Sequence, residues 1–380
     1  NKRVYPYGTT AAHVIGYIGQ INTEEQIKYY VDERGYRPTD VIGVAGIEGY
    51  MEDYLTGFSK DKQGEQEVEV NSKNIVTKLI REESYKNGSN VMLTLDIELQ
   101  SLLEKALEEN IKTIRAEQEK RYNENLEEYK EIEENTGSKI KMASVGAAVV
   151  MNVKNGEVLA MASYPSFDPS LFVGGISSSD YKQIIEDERS PLLNKAISSK
   201  GTPGSIFKMV TAVAGLSEGK ISLSERISDE GYFDKYAQKE GTGPHCWISH
   251  YNIGNHANQS VSDALKHSCN YFFFEVADRL TIDLLQKWAY NFGLTSKTGI
   301  ELLNETAGQI GGQETLYDIN KDIDSQATSK PLLVQRKLKQ IITKAVEDSD
   351  GLLTALQIDA GVLKIMNLVG TSKGNNIFAD

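Results

Sequence analysis

The sequence predicts an α+β protein with two domains. Its 380 residues are too many for one ordinary hydrophobic core. Apolar and polar residues alternate over 66–70 and 74–79, which predicts strands. Apolar runs over 143–152 and 157–162 flank an Asn-Gly dipeptide, the pattern of a β-hairpin. From Ile97 onward the apolar residues recur instead at helical spacing.

A turn-rich segment, Lys-Asn-Gly-Ser-Asn at 86–90, predicts the domain boundary. We expect residues 1–92 to form a first α+β domain, a pedestal, and residues 93–380 to form the second.

Most predicted helices lie in the second domain. After a short strand at 91–96, Asp96 can cap a helix that continues to about residue 135. Its distal part, a helical arm at about 112–140, is mostly polar, which favours an exposed insertion; a partner-binding arm is the alternative. Further helices are predicted at 208–218, 260–267, 271–279 and 281–292, with a helical insertion at about 330–370.

Composition excludes some classes of function. The net charge is −13 and the sequence shows no basic stripe, so nothing could neutralise the phosphates of a nucleic acid. No stretch of about 20 apolar residues could span a membrane. The first residues do not resemble a signal peptide. Two cysteines are too few for a disulfide framework, although one bridge is possible.

The most informative motif is Ser205-Ile-Phe-Lys208, an S-x-x-K box. Pro203-Gly204 precedes it and an apolar helical run follows, so Ser205 should lie at a helix N-terminus. One helical turn separates Ser205 from Lys208, which brings the amine beside the hydroxyl. A desolvated lysine can activate a serine nucleophile, and the helix N-terminus favours the negative charge of acyl transfer.

A second box, Ser268-Cys269-Asn270, has the form S-x-N. S-x-x-K followed by S-x-N is the motif order of penicillin-binding proteins and class A β-lactamases. The flanking sequence resembles class B penicillin-binding proteins in particular. The matching stretches occur in the family's order at 4–8, 13–19, 43–48, 93–100, 160–168, 194–196 and 246–247.

This resemblance implies a pedestal (dimerisation-type) domain followed by a penicillin-binding/β-lactamase-like transpeptidase domain. It implies a peptidoglycan D,D-transpeptidase that cross-links stem peptides from a lipid-linked precursor and is acylated by β-lactams. A membrane anchor upstream, an extracytoplasmic location and a polymerising glycosyltransferase partner are also implied, without an organic cofactor. The alternatives are a β-lactamase or penicillin sensor of the same fold, and a non-catalytic scaffold of a cell-wall synthesis complex.

The same resemblance assigns a role to each motif residue. Ser205 is the expected nucleophile and Lys208 its base. Ser268 is expected to move a proton to or from the leaving amine. Asn270 is expected to orient Lys208 and the substrate amide.

The family's third motif, K-T-G, has only a literal match at Lys297-Thr298-Gly299. Its flanks match a loop of the family rather than the substrate-binding strand, so we expect a structural turn. The true third motif is expected beyond residue 380, which would leave this sequence inactive by itself.

Four of the five histidines and both cysteines fall within residues 245–269. Thiolate and imidazole are zinc ligands, so a structural zinc site beside the S-x-N box is one hypothesis. A disulfide between the two cysteines and an unlinked pair are the alternatives. The preferred ligands are Cys246, His250, His256 and Cys269, with His245, His267 or an acid such as Asp234 able to replace His250.

Overall fold

The computed structural model describes residues 3–237, 239–250 and 253–311, with only the backbone of His250. The helical insertion predicted at about 330–370 lies outside these residues. The described part of the chain divides into two compact units, one formed by residues 3–200 with 297–306, the other by the described residues of 201–296 with 307–311. This division falls inside the predicted second domain, so the boundary near residue 92 stays a prediction.

The first unit begins with short helices and a small sheet. Two three-residue strands, β1 and β2, pair antiparallel, with Ile18 opposite Gly43. The buried Glu52 carboxylate accepts hydrogen bonds from the Tyr36 hydroxyl at 2.9 Å and the Gly43 N–H at 2.7 Å, which fastens a helix to this sheet. The elements are α1 (Ala12–Ile15), β1 (Ile18–Gln20), α2 (Glu24–Gln26), a π-helical segment (Ile27–Glu33), β2 (Val41–Gly43), α3 (Gly46–Tyr50) and α4 (Glu52–Leu55).

A second hairpin follows, with β3 (Glu65–Val70) antiparallel to β4 (Val76–Glu83). It confirms the two strands predicted from alternation. Almost every side chain of the hairpin is exposed on both faces. Its alternating pattern therefore predicted the strands without predicting a buried face.

The long helical segment begins where the sequence predicted. The Asp96 carboxylate accepts the N–H groups of Glu98 and Leu99, both at 3.0 Å, and α5 runs over Ile97–Glu124. The arm is two helices rather than one, because α5 ends before Asn125 and α6 spans Leu126–Thr136. Most of its side chains are exposed. None of the described helices is long and apolar enough to cross a membrane.

The predicted apolar hairpin is formed by β5 (Gly146–Met151) and β6 (Val158–Tyr164), which pair antiparallel with Val149 opposite Met161. The strand predicted at 91–96 is wrong. That segment has a bend at Thr94 and contacts β6, where the Asp96 N–H donates to the Leu159 carbonyl at 2.9 Å, but it does not form a ladder. The residues of 91–96 have the pattern of a strand, but α5 begins directly after them at Ile97.

Gln100, a residue of α5, forms hydrogen bonds with the backbone of β6. Its side-chain amide donates to the Met161 carbonyl and accepts the Met161 N–H, each at 2.7 Å. Gln100 is fully buried, so its amide substitutes for a neighbouring strand at an otherwise open sheet edge. The first unit then continues through a 3-10 turn (Pro169–Phe172), α7 (Ser178–Glu186) and α8 (Lys195–Ser198).

The second unit is mainly helical and confirms the mixed α+β class together with the first. Helices α9 and α12 cross closely at Gly215, where an added Cβ would lie 2.8 Å from a Val276 methyl group. Thr281, with a φ of 68°, breaks α12 where the sequence separated two helices. Its helices are α9 (Phe207–Ser217), α10 (Trp247–His250), α11 (Val261–Lys266) and α12 (Asn270–Asn291).

Replacing Gln100 with Ala should destabilise the first unit. The change leaves the Met161 N–H and C=O buried without partners, and each lost partner costs about 1–3 kcal/mol. We expect the free energy of unfolding to fall by roughly 2–5 kcal/mol in urea titrations. Ser101→Ala, at the exposed neighbouring position, is the control. Equal midpoints for the two variants would show that Gln100 does not support the sheet edge.

Candidate active site and metal-ligand cluster

Ser205 lies at the start of a helix, as predicted. Gly204 has a φ of 57°, a conformation that glycine adopts without strain. A 3-10 turn over Gly204–Ile206 leads directly into α9. Ser205 is exposed, whereas Lys208, one turn later, is half-buried. The local sequence thus presents the hydroxyl outward and draws the amine into the unit.

The S-x-N box forms the junction between α11 and α12. Ser268 has a φ of 50°, which is uncommon for a residue other than glycine and reverses the chain between the helices. Cys269 caps α12, since its Sγ accepts the Phe272 N–H at 3.5 Å. Asn270 is the first residue of α12. The reversal therefore points residues 268 and 270 toward the same side.

The four predicted catalytic side chains lie together. Ser268 Oγ is 3.0 Å from Ser205 Oγ and 3.0 Å from Lys208 Nζ. Lys208 Nζ also donates to the Ser268 carbonyl at 2.7 Å and to Asn270 Oδ1 at 2.6 Å. A continuous chain of polar atoms thus connects the Ser205 hydroxyl to the Lys208 amine. Such a chain can carry a proton in either direction.

Burial lowers the pKa of Lys208 below its ordinary value, an effect that Cys246 and Cys269 would oppose only as thiolates. The Lys208 amine also lies 5.8 Å from the centre of the Phe273 ring. A lowered pKa makes the neutral amine, the form that accepts a proton, more accessible.

Lys297-Thr298-Gly299 is a loop, in line with the predicted turn. The Glu305 carboxylate accepts the N–H and the hydroxyl of Thr298, both at 2.6 Å, and the Gly299 N–H at 3.2 Å. Gly299 has a φ of 79°. These residues form no strand, so they do not supply the family's third motif.

A second cluster adjoins the S-x-N box. The ligand atoms of Asp229, Cys246, His256 and Cys269 all lie within 4.8 Å of one another and are buried. Cys246 Sγ is 3.5 Å from His256 Nδ1 and 4.0 Å from Cys269 Sγ. Asp229 Oδ2 is 3.6 Å from His256 Nδ1 and 4.0 Å from Cys269 Sγ. Three of the four preferred zinc ligands are therefore brought together.

The fourth place in this cluster is taken by Asp229, an acid that the sequence prediction allowed for but did not name. The side chain of His250 lies outside the described residues. The alternative Asp234 is wrong, because its carboxylate instead accepts the N–H groups of Gly241 and Gly243.

The two alternative histidines also stay outside the cluster. His267 bonds Gln259 through Nδ1 at 2.7 Å and stacks on His256, while the His245 ring contacts Tyr232. A zinc-like pattern of His and Cys therefore identified the region, whereas the acid that completes the set is separated from Cys246 in sequence and carried no local signal.

The cluster fits a zinc ion by its donor chemistry and by its spacing. Zinc bonds of about 2.0–2.3 Å in a tetrahedron separate the ligand atoms by about 3.3–3.8 Å, close to the four distances above. The Asn270 N–H also donates to Cys246 Sγ at 3.3 Å, as thiolate ligands require. Burial raises the pKa of the Cys269 thiol to about 12, so a bound cation is what would favour its thiolate.

Two family models match this chain, and both agree with the motif analysis. Residues 146–329 match the penicillin binding protein transpeptidase domain, and residues 1–93 match the penicillin-binding protein dimerisation domain. The second match covers the predicted pedestal, and the first contains both catalytic boxes.

Individual relatives point the same way. The peptidoglycan D,D-transpeptidase MrdA of Escherichia coli (strain K12) is 33% identical over 315 residues, which cover 82% of this chain and 43% of MrdA. The chain thus spans less than half the length of this relative.

Two solved structures share the fold. One, titled "Structural coordination of polymerization and crosslinking by a peptidoglycan synthase complex", is 31% identical with a TM-score of 0.63 and covers 83% of this chain and 49% of that one. Helicobacter pylori PBP2, in its complex with MreC, is 24% identical with a TM-score of 0.63 and covers 82% of this chain and 50% of that one.

Zinc content should depend on Asp229. We expect Asp229→Asn to lose most of the bound metal because it removes one of four ligands, with a lowered melting temperature that added zinc partly restores. Metal analysis of protein purified without added zinc, paired with free-thiol counting, provides the measurement. Asp234→Asn is the matched control and should keep its metal. Wild-type protein with less than about 0.2 zinc per chain and no free thiols would contradict the metal site and favour the disulfide.

Proposed function

This chain belongs to the penicillin-binding proteins, and we propose that the protein it represents is a serine D,D-transpeptidase that cross-links peptidoglycan stem peptides. The observation that carries the proposal is the unbroken contact chain from Ser205 Oγ through Ser268 Oγ to Lys208 Nζ. Its two steps, each of 3.0 Å, connect a nucleophile to a base.

In the first half-reaction, Ser205 Oγ attacks the carbonyl carbon between two D-Ala residues. The Ser205 proton moves to Ser268, whose own proton moves to the neutral Lys208 amine. The C–N bond then breaks, and the proton passes from Lys208 through Ser268 to the departing D-Ala amine. The Ser205 N–H, in the 3-10 turn before α9, would bond the carbonyl oxygen as it becomes negative.

Lys208 and its acceptors are consistent with both directions of proton transfer. As an ammonium, Lys208 donates to the Ser268 carbonyl, Ser268 Oγ and Asn270 Oδ1. As a neutral amine it has two hydrogens, which the Ser268 carbonyl and Asn270 can retain. Its lone pair then faces the Ser268 hydroxyl, so proton uptake needs no movement of heavy atoms.

In the second half-reaction, the amine of a neighbouring stem peptide attacks the Ser205 ester. It loses a proton through the same chain, and the Ser205 oxygen leaves as the restored hydroxyl. A β-lactam acylates Ser205 by opening its strained amide in the same way. Asn270, whose Oδ1 accepts a hydrogen bond from Lys208 Nζ, would orient the substrate amide.

The substrates and partners follow from the same proposal. A transpeptidase of this family acts on stem peptides of a lipid-linked precursor, which places it at the membrane on the extracytoplasmic face. The solved relative titled as part of a peptidoglycan synthase complex that couples polymerization and crosslinking supports a polymerising glycosyltransferase as partner.

A zinc ion in the Asp229, Cys246, His256 and Cys269 cluster would be structural. Four protein ligands leave no position open for water, and Ser205 already supplies the nucleophile. Asp229, Cys246 and His256 come from three separate segments, and they meet Cys269 at the start of α12. The ion would thereby fasten these segments to the helix that carries Asn270.

Covalent labelling of the full-length protein with a fluorescent penicillin tests the proposal. Ser205→Ala should abolish labelling because it removes the nucleophile. Lys208→Ala and Lys208→Arg should each slow it by roughly 10²–10⁴-fold, since arginine keeps the charge but cannot act as the base. Lys220→Ala, at an exposed position beyond α9, is the control.

The labelling outcomes also distinguish the other functions. A label on another serine, or normal rates in both Lys208 variants, would contradict the assignment. Rapid loss of the label would indicate a β-lactamase, and a folded protein that takes no label would indicate a scaffold.

The acylation rate should rise with pH. Only the neutral Lys208 amine accepts a proton, and the neutral fraction grows as the pH rises toward the pKa of Lys208. Because burial lowers that pKa, the rise should occur below the range of an ordinary lysine. Stopped-flow acylation over pH provides the measurement. A rate that stays flat from neutral to alkaline pH, in protein that remains folded, would exclude Lys208 as the base.

A further inference from the structure

The two cysteine sulfurs lie close together and touch the catalytic segment. Cys246 and Cys269 are 0% and 1% exposed, and both are free thiols with their sulfur atoms 4.0 Å apart. A disulfide bond is about 2.05 Å long. Closing the pair therefore requires the sulfurs to approach by about 2 Å.

Both sulfurs hold the first turn of α12. Cys246 Sγ accepts the Asn270 N–H at 3.3 Å, and Cys269 Sγ accepts the Phe272 N–H at 3.5 Å. Cys269 also lies between Ser268 and Asn270 in the chain. Movement of the sulfurs would thus act directly on the two residues that bond Lys208.

Lys208 is sensitive to such movement because its acceptors are close and come from both sides of Cys269. The contacts to the Ser268 carbonyl and Asn270 Oδ1 measure 2.7 and 2.6 Å. Ser268 holds its position through a backbone with a φ of 50°, which few alternative conformations could replace. A small displacement of Cys269 cannot preserve all of these contacts.

From this geometry we propose that Cys246 and Cys269 form a thiol–disulfide switch that a metal ion protects and that turns off acylation at Ser205. The inactivating step exchanges the two thiols with an external disulfide of a small thiol or an oxidoreductase. One sulfur–sulfur bond forms in the protein, the external disulfide is reduced to two thiols, and the two protein thiol protons leave with them. The effect on Ser205 rests on the proposed function; formation of the disulfide does not.

A metal ion and the disulfide exclude one another. The same two sulfurs would be ligands in one state and bonded to each other in the other. His256 Nδ1 covers Cys246 Sγ at 3.5 Å, and both sulfurs are buried, so an oxidant reaches them only after local opening. A metal ion bound by all four ligands would keep His256 against Cys246 and so oppose this local opening. The switch therefore responds to oxidant chiefly when the metal is absent.

The test compares zinc-loaded and chelator-treated full-length protein, each incubated with oxidised glutathione. In the metal-free sample we expect loss of both free thiols, a mass lower by two hydrogen atoms, and a Cys246–Cys269 cross-linked peptide. Zinc-loaded protein should keep both thiols over the same time. Amide exchange at Asn270 and Phe272 should change with the disulfide, because their N–H groups lose their sulfur acceptors.

Fluorescent penicillin then reports on Ser205. The disulfide form should react about 100-fold more slowly, in line with a displacement of about 1 Å in a catalytic group, and dithiothreitol should restore the rate. Cys246→Ser provides the control: it cannot form the cross-link, so oxidant should leave its own acylation rate unchanged.

Each result has one meaning. The switch would be overturned if both thiols survived oxidant in the metal-free protein. It would also be overturned if the disulfide form were acylated as fast as the dithiol form. Reduced, zinc-loaded protein that never labels at Ser205 would overturn the proposed function, while mass and thiol counts still decide whether the disulfide forms.

Discussion

The hydrogen bonding of one half-buried amine is the constraint on which the described site depends. Lys208 Nζ has three oxygen acceptors, and all of them come from Ser268 and Asn270. To meet them, α9 and α12 must cross closely, which the absence of a side chain at Gly215 allows. The chain must also reverse at Ser268, which adopts a left-handed conformation. Cys269, which lies between Ser268 and Asn270 in the chain, belongs to the buried core cluster of this unit, so the polar contact adjoins that core.

The same contact explains why the grouping of Ser205, Lys208, Ser268 and Asn270 was predictable from sequence. The spacing of Ser205 and Lys208 places them on one helical turn, and Pro203-Gly204 marks where that turn begins. These are local properties that adjacent residues determine. The Asp96 cap and the β5–β6 hairpin with its Asn-Gly turn are local in the same sense. The pairing of the two boxes came from resemblance to a family, and the distances between their atoms agree with it.

Features that depend on distant parts of the chain were not predictable in this way. Asp229 reaches Cys269 across 40 residues, and nothing near it in sequence distinguishes it from Asp234, whose carboxylate closes a loop. Gln100 is a polar residue in a helix, yet it is fully buried because β6 lacks a neighbour at that edge. The 91–96 segment has a strand-like pattern but no ladder. In each case the deciding partner lies far away in sequence, where periodicity and propensity carry no information.

The position of Cys269 has a consequence for how this protein can change over time. One residue serves as helix cap, as a member of the buried cluster and as the spacer between two catalytic side chains. A substitution there alters all three properties together, so its effect depends on which residues already occupy positions 229, 246 and 256. Lineages could exchange these residues only in combination, through intermediates that keep the Lys208 contacts. Variation at the four positions should therefore be correlated.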